Sequence, residues 1–153
     1  MGDEPINLES LGLLGVFIAG ATPWFEAIVV VPVGILFGLD PFLVVVCALA
    51  GNTITIFVFA YLGSQIREYL LRRRLKKGKS GESPRFVKAQ AAFEKHGVYW
   101  LAIFGPLFIG TQFAAAIAVA GGVKPLKASL VITIGTAVFA VGIAVGMVLP
   151  WWS

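Results

Sequence analysis

The stretch VYWLAIFGPLFIGTQFAAAIAVAGGVKPLK, residues 98–127, is apolar from 98 to 122, is interrupted by Gly105-Pro106 and Gly110-Thr111-Gln112, and ends on Lys124 and Lys127. About 20 apolar residues in one helix cross a bilayer, but a proline frees a carbonyl that lipid cannot satisfy. In a membrane such a break is tolerated only where it is buried in protein or lines a wet cavity. Residues 98–122 are therefore expected to dip into the membrane and return to the face they left. The lysines favour the same reading. If 98–122 and the next apolar stretch formed a plain hairpin of spans, Lys124 and Lys127 would lie opposite the basic stretch 64–97. With a re-entrant dip, Lys and Arg all lie on one side, cytoplasmic by the positive-inside tendency.

The rest of the chain agrees with a membrane setting. Hydrophobic residues make up 58% of 153 positions, charged residues 13%, and the mean hydropathy is +0.90, against roughly 45–50% and 25% in soluble domains. The length is that of one domain. The net charge of +4 arises from residues 67–95 and the pair Lys124 and Lys127, a topology pattern that argues against nucleic acid as a partner and for membrane lipids. The acidic start Met1-Gly-Asp-Glu-Pro is unlike a signal peptide, so this segment is expected to be retained. Cys47 has no second cysteine to pair with and reads as a small apolar residue.

Four apolar stretches occupy about 8–38, 41–63, 98–122 and 126–150, and the first is also broken, by Thr22, Pro23, Glu26, Pro32 and Gly34. Gly38-Leu-Asp-Pro41 is followed by Gly51-Asn52-Thr53, and Gly122-Val-Lys-Pro125, at the same spacing, by Gly135-Thr136-Ala137. Each half reads as hairpin, Gly-x-x-Pro turn and long helix, entering from opposite faces: an inverted-topology repeat, which in transporters puts the binding site at mid-membrane. The fold expected is an all-α integral membrane domain with about three full spans and two re-entrant hairpins. Its parts are a short first helix over 8–21, re-entrant hairpin 1 over 22–38, a transmembrane helix over 41–66, a basic cytoplasmic connector over 67–97, re-entrant hairpin 2 over 98–122, and a transmembrane helix over 126–150. Fourteen residues in 8–21 give about 21 Å, short of a core of roughly 30 Å. Tyr99 and Trp100 are expected at the inner interface, and Trp24, Trp151 and Trp152 at the outer one.

In the connector, Glu68 and Arg72 form an i,i+4 pair and residues 78–84 a flexible link. Ser83 and Pro84 then open an amphipathic helix ending at Gly97, with Phe86, Ala89 and Phe93 on one face, as on an anionic membrane surface. His96 near its end complements the helix dipole.

Apart from Glu9 at the start of the first stretch and Asp40 at a turn, Glu26 is the one acid inside an apolar segment, and no basic residue in the predicted interior neutralises it. It suits exchange of a proton for a cation, or gating. Asn52, Thr53, Thr111 and Gln112 are the other polar groups at similar depth, able to bond Glu26, a ligand head group or each other. Pro23, Pro32, Gly34, Gly105, Pro106 and Gly110 are read as the residues that break the helices into hairpins. Gly142-x-x-x-Gly146 offers a seam for a homodimer, and a larger membrane partner is the alternative. No Cys/His cluster offers a metal site, no cofactor is implied, and no nucleophile triad, phosphate loop or catalytic carboxylate pair can be assembled, so an enzyme is not expected.

The run Phe25-Glu26-Ala-Ile-Val-Val-Val-Pro32-Val-Gly34, then Gly51-Asn52, Lys95-His96-Gly97, Pro106-Leu-Phe-Ile-Gly110-Thr111 and Gly135 resembles the small multidrug export protein family, itself similar to the DedA/VTT (SNARE-associated) membrane protein superfamily. The resemblance implies two re-entrant hairpins in inverted repeat and a transport role in the plasma (inner) membrane, whether drug export or lipid translocation. This chain has Ile28 where the family usually carries an arginine two residues after the glutamate, and Ile109-Gly110 where the family has proline-glycine. It also lacks the DedA-type arginines of the second hairpin. The function expected is therefore a DedA-like transporter of a lipid-like or hydrophobic cationic molecule, with Glu26, Asn52, Thr111 and Gln112 binding substrate or proton. The alternative is an accessory subunit or lipid-binding scaffold without transport of its own.

Overall fold

The computed structural model describes residues 8–79, 81 and 84–149, without the side chains of Ser64, Ile66, Arg67, Arg85, Phe86 and Ala89. The acidic start, the Ser83 cap, the face given to Phe86 and Ala89, and Trp151 and Trp152 thus lie outside the described residues. The described residues form eight α-helices: α1 (Leu8–Ala21), α2 (Ala27–Leu36), α3 (Pro41–Tyr61), α4 (Gly63–Lys76), α5 (Pro84–His96), α6 (Val98–Phe108), α7 (Thr111–Ala120) and α8 (Pro125–Val148). Two of them, α3 with 21 residues and α8 with 24, are long and apolar enough to cross a membrane. Three full spans were expected; α1, α2, α6 and α7 are apolar but have only 10 to 14 residues.

Close backbone approaches fix the helix directions. A Cβ on Gly51 would lie 2.1 Å from the Phe17 carbonyl oxygen, and one on Gly20 would lie 2.4 Å from that of Ala48. Gly12 meets Leu39, so α1 and α3 run parallel. Gly34 packs against Val44 and Val16, which sets α2 antiparallel to both. The first helical hairpin is therefore α1 and α2 joined by residues 22–26. The expected limits of the re-entrant hairpin were 22–38; in the structure those residues hold one helix, α2, and the limb before the break is the helix over 8–21. Pro23 lies in the break, whereas Pro32 and Gly34 lie inside α2. Pro32 costs its helix one hydrogen bond, at Ile28, and burial of Val30, Val31 and Gly34 holds the helix through it.

The second hairpin is α6 and α7, joined at Ile109 and Gly110. Tyr99 stacks under the Lys127 ammonium, 5.8 Å from the ring centre, and a Cβ on Gly135 would lie 2.5 Å from the Ala102 carbonyl oxygen, so α6 runs parallel to α8. Gly105 and Pro106, read as breakers, sit inside α6. Pro106 has no N–H for the Ala102 carbonyl, and that carbonyl is the one Gly135 approaches. The helix expected over 41–66 divides at Leu62, next to buried Gly63, on which a Cβ would lie 3.2 Å from the Ala116 Cα.

The two halves share one register, 84 residues apart. Buried positions in α3 are Val44, Val45, Ala48, Gly51, Asn52, Ile56 and Ala60, and all but Gly51 have a buried counterpart in α8: Ala128, Ser129, Ile132, Thr136, Ala140 and Ala144. Gly51 and Gly135 keep the same spacing and make the same kind of close approach. Gly38 (φ +82°) and Gly122 (φ +99°) close α2 and α7 alike. Their N–H groups bond back three residues, and the next N–H bonds back five, from Leu39 to Gly34 and from Val123 to Ala118, the glycine-ended stop of a Schellman motif.

Two buried clusters fill the molecule. One joins Val44, Val45 and Ala48 at the start of α3 with Ala140 and Ala144 late in α8. The other joins Ile56 and Ala60 late in α3 with Ala128 and Ile132 early in α8, so α3 and α8 are antiparallel. Asp40 caps α3 by accepting from the Leu43 N–H at 2.9 Å. At the equivalent place before α8 stands Lys124, without a side-chain cap. All Lys and Arg of the described residues fall in α4, α5, the segment between them, and Lys124 and Lys127 at the start of α8, which lie where α3 ends and α8 begins. Phe93 of α5 packs on Gly121, and His96 stacks on Trp100 with ring centres 6.0 Å apart.

Candidate functional site

The two hairpin tips meet at the middle of α3. Thr22 ends α1 by donating its hydroxyl to the Ile18 carbonyl at 2.8 Å. Pro23 cannot continue that helix, and Trp24 follows at φ +81°, the one non-glycine residue with positive φ among those described. A bulky side chain in that region is strained by about 1–3 kcal/mol. The turn is held by the Phe25 N–H on the Thr22 carbonyl at 3.1 Å and by the Trp24 ring against Phe113, centres 5.1 Å apart. Phe113 in turn meets Phe59 edge-on at 5.5 Å. This turn delivers Glu26 to the start of α2, facing inward.

Gly110 closes the second tip at φ +95° and ψ 146°, a conformation essentially reserved to glycine. Its N–H bonds the Gly105 carbonyl at 2.8 Å, leaving the first amide of α7 free to point at the other hairpin. The Thr111 N–H donates to Glu26 Oε1 at 2.7 Å. The carboxylate thus sits on the exposed amide end of a helix, where the dipole favours negative charge. A Cβ on Gly110 would lie 2.8 Å from the same oxygen.

The remaining polar groups continue from that bond. Thr111 Oγ1 lies 3.1 Å from Asn52 Oδ1 and 3.2 Å from Gln112 Oε1, able to donate to one at a time. Gln112 Nε2 donates to Asn52 Oδ1 and to Thr55 Oγ1, both at 3.1 Å, and Thr55 donates to the Asn52 carbonyl at 2.9 Å. Asn52, Thr111 and Gln112 are fully buried, and Glu26 is 5% exposed. Two atoms in this cluster have no partner among the described residues: Glu26 Oε2 and Asn52 Nδ2. A buried carboxylate oxygen and a buried amide left unbonded cost free energy, and together they offer an acceptor and a donor to a ligand.

The structure therefore brings together Glu26 from the first tip, Asn52 from α3, and Thr111 and Gln112 from the start of α7. Thr53 is half-buried on α3 and outside the network; Thr55, which sequence reasoning did not single out, takes the position. Its i,i+3 spacing from Asn52 puts it on the same helix face, and that spacing is the signal that could have found it.

Residues 26–147 match the model of the family described as "Putative small multi-drug export protein". No curated protein and no solved structure matches the chain.

Proposed function

This chain belongs to the small multi-drug export protein family, and we propose that it is a membrane transporter whose two hairpins are re-entrant, with Glu26 as the group that binds a proton or a cationic part of the substrate. The family and the two long apolar helices give a membrane location. Support for re-entry comes from the lengths of the hairpin limbs. Fourteen residues or fewer reach about 21 Å at most, short of the roughly 30 Å of hydrocarbon that α3 and α8 can cross. Antiparallel α3 and α8 with a shared register support an inverted repeat, and the meeting point of the tips then lies at mid-membrane, as in transporters built this way. The gathering of Lys and Arg at one end supports a cytoplasmic connector in the plasma membrane.

One observation carries the reading. Glu26 is buried with one oxygen on the Thr111 amide and the other unbonded, and α1, α2, α3, α6 and α7 hold no Lys or Arg. A carboxylate in an apolar interior needs a counter-charge, so a proton and a hydrophobic cation competing for Oε2 form an exchange site. Asn52 Nδ2 adds a donor for a substrate oxygen, and a lipid-like molecule with both features fits equally.

The test uses the purified full chain in liposomes under a pH gradient, with flux of a fluorescent hydrophobic cation as the readout. Glu26→Gln is expected to abolish flux while keeping the helical circular dichroism and monodisperse elution of the parent, and Glu26→Asp to keep part of it. Unchanged flux in Glu26→Gln would remove the assignment. No flux by the parent chain, with recovery of a stoichiometric partner, would favour an accessory subunit.

A further inference from the structure

A cleft of about 510 Å³ opens between α5 and α6 and is lined by Lys88, Trp100, Phe104, Gly105, Leu107, Phe108 and Ile109, with Glu26 and Asn52 outside its lining. That volume lies within the roughly 300–1,000 Å³ of small-molecule sites. Its chemistry is divided. One wall is continuous aromatic surface: Trp100 and Phe104 have ring centres 5.2 Å apart, and Phe104 and Phe108 6.3 Å apart. The i,i+4 spacing of these rings lays them along one face of α6. Among the described residues, Lys88 is the single charged one of the lining, and no carboxylate lines the cleft to pair with it. Gly97, at φ +81° between the two helices, lets α5 fold back so that Lys88 reaches α6.

We propose that this cleft binds an acidic membrane lipid, with the phosphate of the head group on the Lys88 ammonium and one acyl chain along Trp100, Phe104 and Phe108. Charge complementarity selects the occupant: a zwitterionic lipid offers Lys88 a phosphate already compensated by its own cation, a cationic lipid repels Lys88, and a free phosphate satisfies Lys88 but leaves the wall bare. A lysine can bury its methylene stem on such a wall while its ammonium stays at the polar edge. The chain end of the lipid would come to Ile109, next to Gly110 and Thr111 of the second tip, so an occupied cleft would brace that tip from the lipid side.

Tryptophan quenching by brominated acyl chains reads the cleft directly. The full chain is placed in phosphatidylcholine vesicles doped with either brominated phosphatidylglycerol or the same amount of brominated phosphatidylcholine, and the emission lost in Trp100→Phe gives the share of Trp100. Trp100 is expected to be quenched at about five-fold lower content of the acidic lipid, the contribution of one lysine against an acidic head group. Lys88→Gln is expected to erase that preference, Lys88→Arg to keep it, and Lys79→Gln, on the segment after α4, to leave it intact. Equal quenching of Trp100 by both lipids would overturn the proposal, showing ordinary annular contact. So would equal losses in Lys88→Gln and Lys79→Gln, which would assign the preference to the basic end as a whole.

Discussion

The two hairpins stand on the same frame and are closed by unlike turns. In the first, five residues carry a proline, a tryptophan in left-handed conformation and a carboxylate; in the second, two residues suffice, and the last is a glycine. The 84-residue register sets Gly110 opposite Glu26. One tip brings the charge and the other, at the equivalent position, brings bare backbone. The frame positions α3, α8, Gly38 and Gly122 keep their jobs in both halves, because each is a demand of backbone geometry. The tips are free to differ, and their difference makes a bond between them possible, since two carboxylates at one contact would repel.

Gly110→Ala is the hardest blow to that pairing short of removing Glu26. The new Cβ would meet Glu26 Oε1 at 2.8 Å, and the backbone at φ +95° would be strained by about 1–3 kcal/mol in addition. Flux in liposomes is expected to fall as in Glu26→Gln, but here with a lowered melting temperature, which Glu26→Gln alone should not produce in equal measure. An alanine variant with parent flux would show that the tips need not touch.

Substituting the frame glycines asks whether the halves are mechanically alike. Valine at Gly51 or Gly135 places carbon against a backbone carbonyl, at 2.1 Å and 2.5 Å respectively. Each is expected to destabilise by about 1–3 kcal/mol through overpacking, with Gly51→Val the more severe. Thermal unfolding in detergent measures both. A marked loss at one site with none at the other would break the equivalence of the halves.

Much of this frame can be read from sequence, and the part that cannot has a physical reason. The pairs Gly38 and Gly122, Pro41 and Pro125, and Gly51 and Gly135 are visible because left-handed turns, first helical positions and close approaches restrict residue type. Glu26, Asn52, Thr111 and Gln112 stand out because polar groups are scarce among apolar ones. Pro32 and Pro106 mislead, since a proline marks a lost hydrogen bond and leaves open whether packing holds the helix through it. Here packing does so, and the limb before the first break is α1, one helix earlier than the expected range 22–38. Thr55 is missed for the opposite reason: threonine in a helix commonly bonds its own backbone, as Thr136 does with the Ile132 carbonyl at 2.9 Å, and only tertiary structure shows that Gln112 reaches this one.

Gln112→Leu sharpens the comparison at lower cost. It removes the amide that joins Asn52 and Thr55 while keeping the Glu26 bond. Side-chain hydrogen bonds within membrane bundles are worth on the order of 1 kcal/mol, so a modest drop in melting temperature with residual flux is expected. A complete loss of flux with the fold intact would mean that the amide itself contacts the substrate.

Thr111→Val is expected to have the smallest effect of the series, and the reason lies in which atom donates. The bond to Glu26 comes from the backbone N–H of residue 111, which valine retains with nearly the same shape. The hydroxyl lost is the one near Asn52 and Gln112, and Asn52 Oδ1 still accepts from Gln112. A change below about 1 kcal/mol is expected in unfolding, with flux and its dependence on Glu26 preserved. Had the second tip offered a side chain, the same substitution would cut the contact between the hairpins. A flux as low as that of Glu26→Gln would therefore place the threonine hydroxyl, and no longer the helix amide, on the working oxygen of the carboxylate.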